Sequence, residues 1–263
     1  MSEKFPLSVV IIAKNEENRI EDCLASAAWA SEIVVLDDMS TDRTVEIARK
    51  FTDKIFQREM DIEGRQRNFA YSKATGEWIL SLDADERISP ELEKEIRGAL
   101  SNDTKEFNAY AIPIRTYLGT HWIQGAGYYP AHKDRLFRKG TFKYEEARVH
   151  PRLFREGKCG RLNGDIIHYS WRNLSEFLTK INRETTLEAD KWIQDGRKVS
   201  LGNTLRKVVD RFFKNYFMKG GVKHGFYGFL MSLFHSYYQL MTYAKYREIK
   251  QGTALPSFEK KSR

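Results

Sequence analysis

Two apolar runs that end in aspartates limit most strongly what this chain can fold into. One run precedes Asp37 and Asp38, and the other precedes Asp83 and Asp85. Continuous apolar runs of strand length predict buried strands of a parallel sheet. Such sheets bind ligands beyond the carboxyl ends of their strands. We therefore expect both pairs of carboxylates at one ligand-binding edge.

Asp83 and Asp85 are candidate ligands of a divalent metal ion. If the strand continues through both residues, side chains two positions apart share a face, and the two carboxylates lie side by side. Carboxylate oxygens suit Mg²⁺ or Mn²⁺, and such an ion can also hold the phosphate oxygens of a substrate. The alternative is a polar strand exit that caps the next helix. The second acidic exit, at Asp37 and Asp38, favours the metal site.

Strands and helices alternate over the first hundred residues. The predicted strands cover residues 7–13, 33–36, 54–56 and 77–83. Ser40 or Thr41 is expected to cap the second helix, and Ser89 followed by Pro90 predicts the start of another. Repeated strand–helix units predict an α/β fold with a mostly parallel, doubly wound sheet.

Beyond about residue 108 the pattern changes to further strands, and beyond Trp171 to amphipathic helices. Apolar residues alternate along the chain from Tyr110, as in a half-buried strand. The helical part includes a stripe of apolar residues from Leu205 to Phe217 at helix spacing. We predict one domain over residues 1–172, with a first half (1–105) and a second half (106–172), and a helical, amphipathic extension over residues 173–263.

The composition narrows the class of protein. The 263 residues include 44 basic and 36 acidic side chains, a net charge of +8, which favours anionic partners. Cys23 and Cys159 match no metal-binding spacing and are expected to be reduced thiols. The N-terminus lacks the layout of a signal peptide, so the protein is expected in the cytosol. No glycine motif of a dinucleotide site or a P-loop follows the first strand.

Three blocks of sequence resemble, in order, the donor-site blocks of family 2 glycosyltransferases, which have the GT-A fold. They are VVIIAKNEE at residues 9–17, LDDMSTDRT at 36–44 and LDADER at 82–87. Residues 64–70, 135–138, 149–150 and 168–170 are similar to a bacterial subgroup that includes lipopolysaccharide core β-1,4-glucosyltransferases. The resemblance covers most of the chain, although the C-terminal helices match only in general character.

The resemblance implies an inverting, metal-dependent enzyme that uses a UDP-sugar such as UDP-glucose. It implies a Rossmann-like, mostly parallel GT-A sheet with a helical extension, and Mg²⁺ or Mn²⁺ as cofactor. Residues 1–172 would then be the catalytic domain, with a donor half (1–105) and an acceptor half (106–172). Asp37 or Asp38 can accept hydrogen bonds from uracil or ribose, and Arg65 or Arg67 could bind phosphate unless they form a solvated helix face. The donor-binding candidates are Ala13, Asn15, Glu16, Asp37, Asp38, Arg65, Arg67 and Asp83, with Asp83 and Asp85 as metal ligands.

The general base is less well defined. Similar enzymes have Val-His-Glu where this chain has Val149, His150 and Pro151, and a carboxylate usually serves as the base in them. Glu146 and Glu145 are the substitutes that we favour, with His150 as the next candidate. The alternative for at least one glutamate is a solvent-facing position on a strand edge.

The C-terminal helices leave two interpretations open. The helix from Leu205 to Phe217 carries basic residues opposite its aromatic ones, which suits either packing on the catalytic domain or an anionic lipid surface. Residues 226–246 are long enough to span a bilayer but too polar, so they are expected to lie at the interface. The basic residues of the first helix are Arg206, Lys207, Arg211 and Lys214.

The sequence therefore predicts a cytoplasmic glycosyltransferase, peripheral on the inner membrane. It would transfer a hexose from a UDP-sugar to a lipid-linked glycan such as the lipopolysaccharide inner core, without binding nucleic acid. A nucleotidyltransferase is one alternative, but an early glycine-rich loop would be expected. A non-catalytic, basic membrane- or RNA-binding module is another, and it leaves the two acidic strand exits unexplained.

Overall fold

The computed structural model describes residues 6–102, 105–146 and 152–252. The strands are β1 (Leu7–Ala13), β2 (Glu32–Asp37), β3 (Ile55–Gln57), β4 (Trp78–Asp83), β5 (Glu86–Ile88), β6 (Phe107–Leu118), β7 (His121–Trp122), β8 (His132–Arg138), β9 (Phe142–Tyr144), β10 (Leu153–Arg155), β11 (Lys158–Arg161) and β12 (Ile166–Trp171). The helices are α1 (Ile20–Ala27), α2 (Thr44–Ala48), α3 (Glu63–Lys73), α4 (Pro90–Ser101), α5 (Leu174–Gln194), α6 (Leu201–Phe213) and α7 (Gly225–Gln251). A π-helical turn (Lys214–Met218) and a 3₁₀ turn (Gly221–His224) join α6 to α7.

In the described residues one mixed sheet has the strand order β3-β2-β1-β4-β8-β6-β12-β5, with β7 and β11 also paired to β6. Its first half is parallel, since β1 pairs in parallel with β2 and β4, and β2 with β3. Strand β8 then runs antiparallel to β4 and β6. The prediction of an α/β fold with a mostly parallel sheet in this half is confirmed.

Helices cover both faces of the parallel strands. Val9 and Ile11 of β1 belong to the apolar core that contains Leu24 of α1. Val10, between them, belongs to the core on the opposite face with Ala70 of α3. Since both faces are buried, both sets of alternating side chains must be apolar, which explains the continuous apolar runs.

The capping prediction for α2 is wrong. The helix begins at Thr44, whose N–H donates to Asp42 Oδ1 (2.9 Å). Ser40 and Thr41 instead bind the loop that follows β1: Asn15 N donates to Ser40 Oγ, and Thr41 N donates to Asn15 Oδ1, each at 2.8 Å. The polar residues after β2 therefore join two strand exits.

The assumption that one strand runs through Asp83 and Asp85 is also wrong. Strand β4 ends at Asp83, and Asp85 lies in a turn before β5. β5 pairs antiparallel with β12, with His168 opposite Glu86. The alternation of side chains along a strand thus places Asp83 but says nothing about Asp85.

The chain divides into two compact units. The first contains the residues up to Tyr117 and Pro130–Ser170, and the second contains Leu118–Tyr129 and the chain from Trp171 onward. In the second unit Leu118 and Ile123 pack with Phe177 of α5 and Met231 of α7. The predicted domain boundary after residue 172 stays a prediction. In the part of the chain that the structure describes, no helix is both long and apolar enough to cross a membrane.

Candidate functional site

Two loops with left-handed residues form the exits of β1 and β2. Asn15 has a φ of 53° and Met39 a φ of 51°, so both chains turn sharply where their strands end. Between them the Asp38 N–H donates to the carbonyl of Ala13 (2.8 Å), and Glu16 N donates to Thr44 Oγ1 (2.7 Å). Ala13, Asn15 and Glu16 thus lie in one backbone framework beside the acidic exit of β2.

Asp37 is fully buried at this edge, and only one of its two carboxylate oxygens has a hydrogen-bond partner among the described residues. Its Oδ2 accepts hydrogen bonds from Ser40 N (2.9 Å) and Gln57 Nε2 (3.0 Å). Its Oδ1 is buried without a hydrogen-bond partner among the described residues. Leaving a buried acceptor unsatisfied costs about 1–3 kcal/mol, so an N–H or O–H from a ligand would be bound favourably there.

Asp38 uses both carboxylate oxygens within the protein. Lys14 Nζ lies 2.8 Å from Oδ2, and Met60 N donates to Oδ1 at 2.7 Å. Of the two aspartates that the sequence left open for base or ribose recognition, Asp37 therefore has the unpaired acceptor. Asp38 instead holds the segment that leads to α3.

Asp83 lies between two arginines. Arg67 Nη2 is 2.9 Å from its Oδ1, and Arg135 Nη2 is 3.2 Å from its Oδ2. Burial raises the pKa of Asp83, but the charges of Arg67 and Arg135 outweigh it and hold that pKa well below the usual range. Arg67 Nη1 and Arg135 Nε are buried without a partner in the described residues. These unsatisfied donors suit phosphate oxygens.

Glu86, to which the sequence analysis gave no role, holds Asp83 and Arg135 in place. Its Oε2 accepts a hydrogen bond from Asp83 N (2.8 Å), and its Oε1 lies 2.6 Å from Arg135 Nη2. The Glu86 side chain is completely buried, and burial raises its pKa against the opposing effect of Arg135. The carboxylate of Asp83 is therefore held in place through both its backbone and its arginine partner.

His168 is a second site residue that the sequence reasoning did not assign a role. Its Nε2 lies 3.2 Å from Asp85 Oδ2, and the Tyr169 N–H donates to the Asp85 carbonyl (3.0 Å). Both side chains remain partly exposed, at 17% and 16%. The signal was the His-Tyr-Ser block, which had been noted for its resemblance but not for its proximity to Asp85.

Asp85 and His168 could share a divalent ion, whereas both carboxylate oxygens of Asp83 contact arginines. The assignment of Asp83 and Asp85 as metal ligands stays a prediction. An oxygen and an imidazole nitrogen are both ligands of Mn²⁺, and Mg²⁺ and Mn²⁺ commonly take further ligands from substrate phosphates and water. Within residues 6–102, 105–146 and 152–252, no group of three His, Cys, Asp or Glu side chains could hold a metal by itself. Phosphate oxygens from a substrate would have to complete such a site.

The base candidates lie beside the N-terminus of α3. Glu146 Oε2 is 3.0 Å from Arg65 Nε, and Glu145 Oε2 accepts a hydrogen bond from Arg152 N (3.1 Å). A Cβ atom on Gly64 would lie 2.0 Å from the Glu145 carbonyl oxygen, so the helix and this segment are in close contact. His150 lies outside the described residues. Arg65 and Glu146 are both nearly half exposed, so the solvated-face interpretation of Arg65 stays open.

Comparison with known proteins gives three results. Residues 8–158 match the model of a protein family described as "Glycosyl transferase family 2". The chain is 28% identical to the "Lipopolysaccharide core biosynthesis glycosyltransferase LpsC" of Rhizobium meliloti, with 93% of each chain covered. It is 29% identical to an "Uncharacterized glycosyltransferase" of Rickettsia typhi, which covers 92% of this chain and 87% of that protein.

A solved structure also matches the fold. The mannosyltransferase PcManGT from Pyrobaculum calidifontis, crystallised with GDP-Man and Mn²⁺, superimposes with a TM-score of 0.54. The alignment covers 95% of this chain and 89% of that one at 13% sequence identity. At this identity the match supports the architecture alone.

Proposed function

The chain belongs to Glycosyl transferase family 2 and has the GT-A fold, and we propose that it transfers a hexose from a UDP-sugar to a lipid-linked glycan with inversion at the anomeric carbon. The observation that carries the proposal is the buried Asp37 Oδ1, an unpaired acceptor at the carboxyl end of β2, together with the arginine-held Asp83 at the carboxyl end of β4. Asp37 Oδ1 would accept a hydrogen bond from a uracil N–H, and the arginines at Asp83 would bind a diphosphate.

Glucose is the hexose that we propose, because the sequence blocks resemble those of lipopolysaccharide core glucosyltransferases. The donor would bind with its uracil against Asp37 and its diphosphate near Arg67 and the Asp85–His168 pair. A divalent ion held by Asp85 and His168 would neutralise charge on the diphosphate as it leaves. Arg67 would add charge-assisted hydrogen bonds from the Nη1 atom that has no partner among the described residues.

The transfer itself is a direct displacement. The acceptor hydroxyl oxygen forms a bond to the anomeric carbon, while the bond from that carbon to the diphosphate oxygen breaks on the opposite face. The hydroxyl proton goes to a general base, for which Glu146 is our first candidate and Glu145 and His150 are the others. Glu146 has a partner in Arg65, whose Nε lies 3.0 Å from Glu146 Oε2 and orients the carboxylate.

The acceptor that we propose is a lipid-linked saccharide at the cytoplasmic face of the inner membrane. Two observations support it: the likeness to a protein named for lipopolysaccharide core biosynthesis, and the exposed basic residues of α6. Basic side chains near an anionic leaflet each contribute about 1 kcal/mol to binding. The enzyme would therefore work as a membrane-associated protein.

The two alternatives from the sequence lose their support. A nucleotidyltransferase and a non-catalytic basic module are both inconsistent with membership of a glycosyltransferase family that covers residues 8–158. Neither alternative is favoured by a contact in the described site.

A ligand screen followed by a transfer assay tests the proposal. Thermal unfolding would be measured with UDP-glucose, UDP-galactose, UDP-GlcNAc and GDP-mannose, each with and without Mn²⁺, because a ligand that binds only the folded state raises the unfolding temperature. We expect UDP-glucose with Mn²⁺ to give the largest shift, and radiolabelled glucose to pass to a lipid-linked core acceptor. A larger shift with GDP-mannose, or a metal-independent shift, would contradict the proposed donor or cofactor.

A further inference from the structure

Helix α7 of the second compact unit has an unusual distribution of polar and apolar residues. Large apolar side chains of α7 are 38–67% exposed, whereas its buried face is mostly small or polar. The exposed residues are Phe226, Phe229, Leu233, Tyr237 and Leu240. The buried small or polar residues are Gly228, Ser232, Ser236, Gln239 and Thr242. A helix on the surface of a water-soluble protein has the opposite arrangement.

The buried face of α7 is built for close contact between helices. A Cβ atom on Gly228 would lie 1.9 Å from the Gly221 carbonyl oxygen, so only glycine fits. Ser232 Oγ donates to the Gly228 carbonyl (2.7 Å), and Ser236 Oγ donates to the Val208 carbonyl of α6 (2.9 Å). The Ser236 bond joins α7 to α6, and small residues with serine hydrogen bonds between helices are typical of helices that associate in lipid, where apolar burial cannot drive packing.

Helix α6 and the turn that follows it continue the apolar exterior. Five apolar residues spaced four apart are 48–54% exposed, and Thr204 is the buried residue of α6. Those five are Leu201, Leu205, Val209, Phe213 and Phe217. The ring centroids of Phe212, next to this row on α6, and Phe229 of the exposed α7 row are 5.8 Å apart, so the two helices pack against each other here. We call the ten exposed residues of the two helices the outer apolar face.

Positive charge accompanies the outer apolar face. Arg206, Lys207, Arg211 and Lys214 are all exposed on α6 and the adjoining turn. If two copies of the chain met through this face, these like charges would be brought together and would oppose association. Anionic phosphates of a lipid leaflet would instead pair with them while the acyl chains cover the apolar side chains.

We propose that α6 and α7 are embedded in one leaflet of an anionic bilayer, with the outer apolar face among the acyl chains. This inference rests on the proposed function only for its setting, the membrane that carries the acceptor. It goes further than surface association, because the apolar side chains enter the hydrocarbon and binding no longer depends on charge alone. The two helices lie along the leaflet, since neither is long and apolar enough to cross it.

Flotation with vesicles tests the inference on the full chain. Vesicles of phosphatidylethanolamine and phosphatidylglycerol would be used in low salt and in about 1 M salt, which screens surface charge. The parent protein should float in both. Phe213→Ser combined with Phe217→Ser should weaken binding in high salt by about a hundredfold, because two phenylalanines lose their contact with acyl chains. The control is Phe154→Ser on β10, equally exposed at 54%, which should bind as the parent does.

A depth measurement keeps the test independent of folding defects. A fluorophore on Phe226→Cys, in a Cys159→Ser background, should be quenched by nitroxides attached to the acyl chains and not by a water-soluble quencher. Release of the parent protein by high salt, or the reverse quenching pattern, would overturn the inference. A dimer that dissociates in the double variant, with no vesicle binding by the parent, would identify the face as a self-interface and would also overturn it. Sugar transfer by the parent protein to a soluble acceptor analogue is a separate measurement. If the parent protein transfers no sugar, that result counts against the proposed function and not against insertion.

Discussion

In the proposed site Asp85 and His168 would supply two ligands to a divalent ion, and substrate phosphates would have to complete its coordination. Metal binding and nucleotide binding are then expected to be coupled, since each would supply part of the other's site. Asp83, which the sequence grouped with Asp85, has a different local environment because Arg67 and Arg135 surround it. Its carboxylate is expected to orient those arginines toward the donor.

The first prediction concerns Asp85. Asp85→Asn removes a charged oxygen while barely changing the volume of the side chain, so we expect UDP binding in the presence of Mn²⁺ to weaken at least tenfold, by analogy with the loss of other charged partners. Isothermal titration calorimetry with and without Mn²⁺ measures it. Asp53→Asn, an exposed aspartate before β3, is the control and should leave UDP affinity unchanged. Equal affinity in Asp85→Asn and the parent would show that the metal assignment is wrong.

The second prediction concerns the base. Glu146→Gln keeps the shape of the side chain but cannot take a proton, so turnover should fall about a hundredfold or more while UDP-glucose affinity stays nearly unchanged. Steady-state kinetics and donor titration separate the two effects. Glu145→Gln is the matched comparison, since its carboxylate accepts a hydrogen bond from Arg152 N. Full activity of Glu146→Gln alongside an inactive Glu145→Gln or His150→Ala would move the role to that residue.

Among the elements, the first three strands are joined at their amino ends by Glu32. Lys54 and Ser8 donate to its carboxylate, as do Thr75 N (2.7 Å) and Thr75 Oγ1 (2.8 Å). Burial alone would raise the pKa of Glu32, but the hydrogen bonds from these residues outweigh it and lower that pKa to about 2. The ordinary value is 4.5.

The third prediction follows from this lowered pKa. Above pH 4.5 the Glu32 carboxylate is charged in both the folded and the unfolded state, and its full contribution to stability is present. Below pH 4.5 the unfolded chain takes up a proton before the folded protein does. The contribution of Glu32 to stability is therefore lost as the pH falls toward 2. Glu32→Gln should reduce the free energy of unfolding by about 1–3 kcal/mol at pH 7, with a smaller difference from the parent near pH 3. Urea unfolding at both pH values measures it. The control is Glu106→Gln, which removes an exposed ion pair with Lys158 and should change the free energy of unfolding little. A difference between Glu32→Gln and the parent that does not depend on pH would contradict the assigned cause.

The patterns within single elements were the best guide to the fold. Continuous apolar runs identified β1, β2 and β4, and Ser89 with Pro90 identified the start of α4, where Ser89 Oγ accepts a hydrogen bond from Leu92 N. The turn after Asp83 was missed because a polar run of Asp and Glu residues has no period that marks a strand's end. The Glu86–Arg135 pair was missed because its residues are distant in sequence and meet only through the pairing of strands.

In the molecule as a whole, the second compact unit was only partly foreseen. Amphipathic periodicity indicated its helices, but nothing in the sequence connected Leu118–Tyr129 to them. That connection arises from packing: His121 stacks on Tyr227 with ring centroids 3.8 Å apart, and Gly125 is so close to the backbone of Gly220 that a Cβ atom would lie 3.0 Å from its carbonyl oxygen. Local sequence patterns cannot predict contacts between residues that are about a hundred positions apart in the sequence.

The fourth prediction concerns removal of the C-terminal helices. A chain that ends at Gly202 should no longer bind vesicles, yet it should still bind UDP, because the contacts of Asp37, Asp83 and Asp85 lie within the first unit. Its unfolding temperature should fall, since Leu118 and Ile123 lose the side chain of Met231. Vesicle sedimentation, UDP calorimetry and thermal unfolding measure the three effects. If the truncated chain loses both UDP binding and its folded structure, the first unit cannot fold by itself.

The membership of Leu118–Tyr129 in the helical unit limits how the C-terminal helices could be exchanged between relatives. A chimera that takes only its C-terminal helices from a homologue would place a foreign residue against His121 and a foreign turn against Gly125. The two segments, separated by more than forty residues of sheet, must therefore be transplanted as a pair. Natural recombination within this family would face the same requirement, so the loop and the helices should be inherited together.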